Sequence, residues 1–447
     1  MDITRLWAEA NKKAAREAGA SGQSAPSLRS LPPGRSPDDL CPNCRRNGRV
    51  YCPHRPILAL KAELASSLDK QDFFGPSPPN MFVGHYGYPQ INWGPMVGLA
   101  DGIPDNPKDW YGWDFDQIVR ARSLMVRGMS KGAVQAASYR TGPGFGREAQ
   151  LPRMLLDSQE AAMSSSPIDL ELNFLRKPDL RIELHSVHQP MGPSAPLKKL
   201  RLADNAHIPG KLDELIEEKV SARRAVVELL RSGFDEHYLT RLLTAGVLGR
   251  PEHKRLVPTR WGISAVDDML AKEHMEKIRT MRPSGEFMLF SNEYLANRFH
   301  ILLLPGAWEY EGFEAWCGPM VCRGATPVPG LHFAISRESE PFAGRPDYAS
   351  KQGGGYYAAR LGVAEALATH FHMQARALVI REILPEYDLP CGVWVIRQTV
   401  REAFRKPPRK YQTLSEAMVA LQPGLALPLT HYLRESELLK QKKLSDF

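Results

Sequence analysis

The stretch CPNCRRNGRVYCPH, residues 41–54, places three thiols and an imidazole within one short loop. Cys41 and Cys44 have the CxxC spacing that lets two thiolates reach one tetrahedral ion from a tight turn. Asn47 and Gly48 are hairpin-turn residues that bring the chain back, and Cys52 and His54 then supply a second pair. The set Cys41, Cys44, Cys52 and His54 is therefore the expected ligand shell of a zinc knuckle. Four filled positions leave none for a reacting water, so the Zn2+ expected here is structural. The CxH spacing is shorter than the usual second pair, which makes His54 the ligand most in need of testing. A reduced cysteine loop or a redox CxxC is the other reading, and the redox motif would use neither Cys52 nor His54. Cys317, Cys322 and Cys391 lie among apolar neighbours and read as buried thiols.

Two glycine-rich segments could hold phosphate. RTGPGFGREAQ sets Gly142, Gly144 and Gly146 before an expected helix, flanked by Arg140 and Arg147. GGGYYAARL, Gly353 to Leu361, is similar in kind and carries Arg360 one turn in. Neither is a P-loop or a dinucleotide fingerprint, and close packing at a tight connection is the plainer reading of both. Candidate acids and bases are sparse. Glu183, His185 and His188 could share a face, Asp267 and Asp268 open an expected helix where the dipole alone accounts for them, and His370 and His372 flank a helix end. With no HExxH or GxSxG motif and no nuclease signature, no catalytic residue is assigned and enzymatic activity stays open.

Near the end, VREAFRKPPRKYQ concentrates Arg401, Arg405, Lys406, Arg409 and Lys410 around two prolines. Such a run is either a solvated face or a strip of phosphate contacts whose binding weakens with salt. The final residues, QKKLSDF, put Gln441, Leu444 and Phe447 three apart. In one 3₁₀ turn such residues stack one above another, giving a two-pronged apolar plug with an amide beside it. The lysines around it suit a groove with an acidic rim. The pattern resembles the PCNA-interacting peptide, with one terminal aromatic where that motif usually has two. The stretch before it, RESELLKQKK, is highly charged and is expected to stay out of any core.

These segments need a scaffold. The 447 residues carry 43% hydrophobic and 24% charged residues, an ordinary globular balance that allows large cores. The formal charge of +8 suits a polyanionic partner. No run is long and apolar enough to span a membrane, and the charged N-terminus lacks the apolar core of a secretory signal. A cytoplasmic, nucleoid-associated protein is expected. Apolar periodicity predicts helices in ILALKAELASSL, WDFDQIVRARSLMVRG, REAQLPRMLLDSQEAAM, KLDELIEEKVSARRAVVELLRSG, DEHYLTRLLTAG and TLSEAMVAL, and in a segment from Ser264 onward capped by that serine. It predicts strands in LELNFL, LRIELH, LKKLRLA, EFMLFSNEYLANRFHILLL, WEYEGFEAWC, ARALVIREIL and CGVWVIRQTV. The fold class is mixed α+β, with short sheets, an N-terminal zinc knuckle and a disordered C-terminal tail. Residues 1–40 read as a helix and flexible linker, 41–56 as the knuckle, 57–340 as the main domain, 341–430 as a second α+β domain and 431–447 as the tail.

The knuckle, FFGPSPPNMFVGHYGYP, TRWGISAVDD, GGGYYAARL, PEYDLPCGVWVIRQTVREAF and the terminal clamp motif together resemble the archaeal Nre family of DNA repair proteins, from about residue 41 to the end. The resemblance implies DNA damage repair with the PCNA sliding clamp as partner, and it supplies no reaction. A nuclease-like repair enzyme and a clamp-bound adaptor without DNA contact are the alternatives. The knuckle reading has a direct check in metal analysis. Purified protein should carry about one zinc per chain, lost in Cys41→Ser or Cys44→Ser. Full occupancy in Cys52→Ser would overturn the four-ligand set.

Overall fold

The computed structural model describes residues 40, 44–45, 52, 54–78, 80–100, 102–134, 153–180, 191–317, 325–387 and 389–440. The chain folds into two compact units, one of residues 53–273 and the other of residues up to 52 together with 274–447. The division falls inside a single helix. Mixed α+β architecture holds in both.

The unit of residues 53–273 opens with helix α1 (His54–Leu68) and strands β1 (Asp72–Ser77), β2 (Met81–Val83) and β3 (Gln90–Gly98), then helix α2 (Phe115–Ser123) and strand β4 (Met125–Ala133). Helix α3 (Arg153–Met163), strands β5 (Ile168–Phe174) and β6 (Ser194–Leu202) and helices α4 (Gly210–Glu217), α5 (Ala222–Arg231) and α6 (Glu236–Thr244) follow. These strands form one sheet in the order β1-β5-β6-β4-β3-β2. Among the described residues only β4 and β6 pair in parallel within it. In β5 the alternation is plain: Ile168, Leu170, Leu172 and Phe174 are buried, and the residues between are not. The stretch expected as one helix from Lys211 breaks at Lys219, which has φ 53°, and restarts behind Ser221, whose hydroxyl accepts from the Arg224 amide. Asp235 caps α6 in the same way.

Helix α7 (Thr259–Ile278) contains the boundary between the units. It begins ahead of the expected Ser264 cap, and Ser264 lies inside it, its hydroxyl 3.5 Å from the Arg260 carbonyl.

The second unit is built on strands β7 (Phe287–Tyr294), β8 (Asn297–Leu304), β9 (Glu309–Cys317), β10 (Thr326–Pro327), β11 (Phe333–Glu340), β12 (Arg376–Ile383) and β13 (Arg409–Tyr411). Their order is β10-β11-β9-β12-β8-β7-β13. β9 and β12 are parallel, and the other pairs are antiparallel. The boundary expected at residue 340 falls inside this unit, because β12 is inserted between β8 and β9. Helices α8 (Gly354–Ala366) and α9 (Trp394–Arg405) pack together, with Gly362 against Val400. Gly355 of α8 lies on Glu314 of β9 and Arg381 of β12. On the opposite face, Leu302, Phe313, Leu378 and Ile380 form a core with helices α10 (Leu414–Leu421) and α11 (Leu429–Glu435). Covered on both sides, β12 is buried along its whole length.

One expectation from the sequence is corrected here. CGVWVIRQTV has the composition of a strand running into a helix, but Trp394–Arg405 is helical throughout. Val395, Ile396, Thr399, Val400, Ala403 and Phe404 are buried, a 3.6-residue period that packing rewards over the β propensity of its valines and isoleucine.

His300 of β8 is buried against the segment after α10. The Gly424 carbonyl can only accept, so Nε2 carries the proton and donates to it at 3.0 Å. Nδ1 then accepts from the Ser291 hydroxyl at 2.8 Å. Burial holds this imidazole near pKa 4. The folded-state value lies below that of the unfolded chain, so the contribution is intact above about pH 6.5 and is lost as pH falls toward 4. Urea unfolding should therefore show a stability loss on the order of 3 kcal/mol from this group between pH 7 and pH 4. In His300→Gln that part of the pH dependence should disappear, and an unchanged profile would refute the assignment.

Candidate functional site

Glu311 lies at the middle of β9 with no exposed side-chain surface. A carboxylate taken out of water must be matched by several donors, or it destabilises the fold by several kcal/mol. The donors come from two places. Arg337 on the neighbouring strand β11 approaches to 3.0 Å. The remainder come from the chain after α11: the amides of Glu437 at 2.8 Å and Leu438 at 3.4 Å, and the Ser436 hydroxyl. Arg337 also pairs with Glu437 at 2.6 Å. The Glu437 and Glu311 carboxylates raise its pKa against the opposing effect of burial, and Arg337 in turn lowers that of Glu437.

Two more contacts complete the attachment. Arg376 of β12 bonds Glu309 at 3.0 Å and donates to the Leu438 carbonyl. At the other end of β12, Glu382 accepts from the amides of Ala426 and Leu427 at 2.8 and 2.9 Å and from the Tyr432 hydroxyl at 3.0 Å. Burial raises the Glu382 pKa, and those donors oppose the rise. Tyr432 meets Phe313 edge to face at 5.4 Å, and Leu438 and Leu439 are buried in the same core.

Residues 431–440, expected in a disordered tail, are thus part of the fold. The charges of residues 434–440 do not keep them out, because the Ser436 hydroxyl and the Glu437 amide meet buried Glu311 while Leu438 and Leu439 turn inward. The described chain ends at Lys440, and Gln441, Leu444 and Phe447 lie outside the described residues.

The basic strip occupies the end of α9 and β13, at the edge of the seven-stranded sheet. Arg405, Lys406, Arg409 and Lys410 are all exposed. Arg405 pairs with Glu402 on the same helix, Lys406 donates to Asn292 at 2.7 Å and Lys410 meets Glu286 at 2.8 Å. Prolines and cations on an edge strand also guard it against pairing with another chain. Arg140 and Arg147 lie outside the described residues.

Of the four expected zinc ligands, the structure describes two side chains. Cys44 and Cys52 are buried and pack with Leu40 in one small cluster. Cys41 and the His54 side chain lie outside the described residues, and His54 is seen only as the first backbone position of α1. Among the described residues no group of three His, Cys, Asp or Glu side chains is placed to hold a metal. Cys317 and Cys391 are buried, and burial pushes the Cys317 thiol up to about 11.

Other candidates resolve as packing. Arg360 is not available to phosphate: it is fully buried, paired with Glu340 and set over the rings of Tyr356 and Tyr357. A Cβ at Gly355 would come within 2.5 Å of Glu314, so the glycine run serves close approach of α8 to a buried ion pair. Asp267 is buried in α7, Asp268 pairs with Lys272 at 2.7 Å, and His370 meets Phe371 edge to face. Glu183, His185 and His188 are outside the described residues. Motif and spacing do not single out the anchoring carboxylates. Their one signal in the sequence is charge inside the strand-forming runs WEYEGFEAWC and ARALVIREIL.

Residues 47–320 match the family model described as Archaeal Nre, N-terminal, and residues 340–447 match Archaeal Nre, C-terminal. The chain is 33% identical over 384 residues to DNA repair protein NreA of Archaeoglobus fulgidus, covering 85% of this chain and 92% of that protein. It is 30% identical over 406 residues to NreB of the same organism, covering 90% and 97%, and 31% identical over 372 residues to NreA of Haloferax volcanii, covering 81% and 85%. No solved structure matches the chain. No helix among the described residues is long and apolar enough to cross a membrane.

The anchoring contacts predict a sharp position dependence on truncation. Ending the chain after Lys440 should leave the melting temperature unchanged. Ending it after Glu435 strands Glu311 and removes Leu438 and Leu439 from the core they fill, and should cost about 3 kcal/mol or more. Glu311→Ala should destabilise by a similar amount, because Arg337 loses its buried partner. Equal melting temperatures for both truncations would refute the anchor.

Proposed function

The chain belongs to the archaeal Nre family, and on that premise we propose that it is a DNA repair factor held at DNA by a PCNA sliding clamp through residues 441–447. The relatives are named as DNA repair proteins. The observation that carries the reading is the anchored root. Glu311, Arg337 and Arg376 fasten residues 436–438 to the sheet, shortly before QKKLSDF in the sequence. A docking peptide works best from such a root: the tether fixes its local concentration at the clamp, while only the short segment is ordered on binding. Leu444 and Phe447 would fill an apolar groove, and Gln441 would hydrogen-bond beside it.

Two accessory roles belong to the same proposal. Cys41, Cys44, Cys52 and His54 would hold a structural zinc, a reading supported by the joint burial of Cys44 and Cys52. The zinc would fix the geometry of the segment around them. Arg405, Lys406, Arg409 and Lys410 on the sheet edge, with Arg140 and Arg147, would contact DNA phosphates. The exposure of Arg405, Lys406, Arg409 and Lys410 favours that role, and the partners of Arg405, Lys406 and Lys410 limit the charge they offer.

Titration of the full-length protein into purified clamp tests the central claim. Binding should be around micromolar, about 8 kcal/mol, and should be lost on truncation after Lys440. Leu444→Ala and Phe447→Ala should each cost about 2 kcal/mol, and Gln441→Ala about 1 kcal/mol. Undiminished binding by the truncated chain would defeat the proposal.

A further inference from the structure

Two stretches far apart in sequence, FVGHYGYPQ (82–90) and TRWG (259–262), meet on one face of the unit of residues 53–273. The Val83 amide donates to the Thr259 hydroxyl at 3.1 Å. The rings of Tyr88 and Trp261 lie 5.3 Å apart, and those of His85 and Tyr86 lie 4.1 Å apart. Exposure is high for side chains of this size: 65% for Tyr86 and 46% each for Tyr88 and Trp261. Clustered, water-facing aromatics of this kind mark a binding surface rather than incidental exposure. The backbone holds them there. Gly87, between the two tyrosines, has φ +78°, and a Cβ at that position would come within 2.7 Å of the Gln90 carbonyl.

Cations lie in the stretches that carry and flank the rings. Beyond Gln90 the chain continues as β3, where exposed Asn92 stands opposite exposed Lys131 of β4. The Val134 amide donates to the Pro89 carbonyl at 3.0 Å, and the Leu256 amide donates to the Val134 carbonyl at 2.7 Å. These bonds bring the segment carrying exposed Arg255 and Arg260 to the same end of the sheet. None of the stretches 81–93, 125–134 and 255–266 contains an Asp or Glu. His85 feels this setting: burial first, and then the nearby charge of Arg260, hold its imidazole below the usual range.

Exposed aromatic faces bordered by cations match a polyanion whose flat bases are not already stacked. Every base has a π-face, and stacking on a protein ring is worth a factor of several to a hundred or so per base. Duplex bases are buried in their own stack and cannot reach such rings. We propose that this face binds single-stranded nucleic acid, with bases stacked on Tyr86, Tyr88 and Trp261 and phosphates held by Lys131, Arg255 and Arg260. The inference deepens the repair reading and rests on it for its setting. It assigns the strand, rather than the duplex, as what this unit grips.

The test uses full-length protein and a fluorescein-labelled thymidine 20-mer read by anisotropy. Wild type should bind the single strand more tightly than the matched duplex. Trp261→Ala should weaken single-strand binding about 10-fold or more, Trp261→Phe should retain most of it, and Tyr86→Ala with Tyr88→Ala should weaken it similarly. Arg260→Ala should lower the slope of log affinity against log salt by about 0.7. Wild-type binding unchanged by the aromatic substitutions would overturn the proposal and leave DNA contact to other residues. Absence of single-strand binding by wild type would also overturn it, and clamp binding by the same preparation would show that the repair reading survives. If the 20-mer does not bind and Trp261→Ala abolishes self-association in sedimentation, the face is a protein contact and the proposal is equally overturned.

Discussion

Two buried carboxylates on adjacent parallel strands constrain the C-terminal half of this protein. Glu311 on β9 and Glu382 on β12 point to the same side of the sheet, and neither has enough donors on the sheet itself. Their remaining hydrogen bonds come from residues 426–438, so that segment must lie across the sheet for either charge to be tolerated. Removing one partner of such a set leaves a buried charge unpaired, which costs more than the pair contributes when intact. The arrangement therefore specifies one path for the chain more than it adds stability. It places Lys440, the last described residue, at a fixed point.

The opposite face of the same strands follows the same logic with different partners. Arg381 lies between Glu314 and Asn297, bonding them at 2.6 and 3.0 Å, and Glu340 accepts from Arg360 and from the Tyr356 hydroxyl. Gly355 at the start of α8 lets the helix come within touching distance of the Glu314–Arg381 pair. What resembles a phosphate loop is filled from within by the protein's own charges.

The unit of residues 53–273 carries a different kind of surface. Its ion pairs, such as Arg120 with Glu63 and Lys61 with Asp179, are largely exposed and contribute little to stability. Its distinguishing feature is the ring cluster about Tyr88 and Trp261, where aromatic area is left in water beside exposed cations. Leaving such rings uncovered forgoes the burial energy they would otherwise provide.

Local pattern by itself specifies many of the elements: period-2 runs form β5 and β6, short apolar runs form β8 and β9, and period-3.6 runs form α1, α2, α6 and α10. These signals are local because a strand or helix face needs only its own neighbours to be recognised. The spacing of Cys41, Cys44, Cys52 and His54 and of Gln441, Leu444 and Phe447 is legible for the same reason. Tertiary structure decides the rest. It makes Trp394–Arg405 helical because a sheet and α8 offer its apolar stripe a place to pack. It orders residues 431–440 because Glu311, far earlier in the chain, needs their amides. It joins Tyr88 to Trp261 across a sequence gap that no spacing rule bridges. In each case the deciding partner lies far along the chain, and only the folded chain brings the two together.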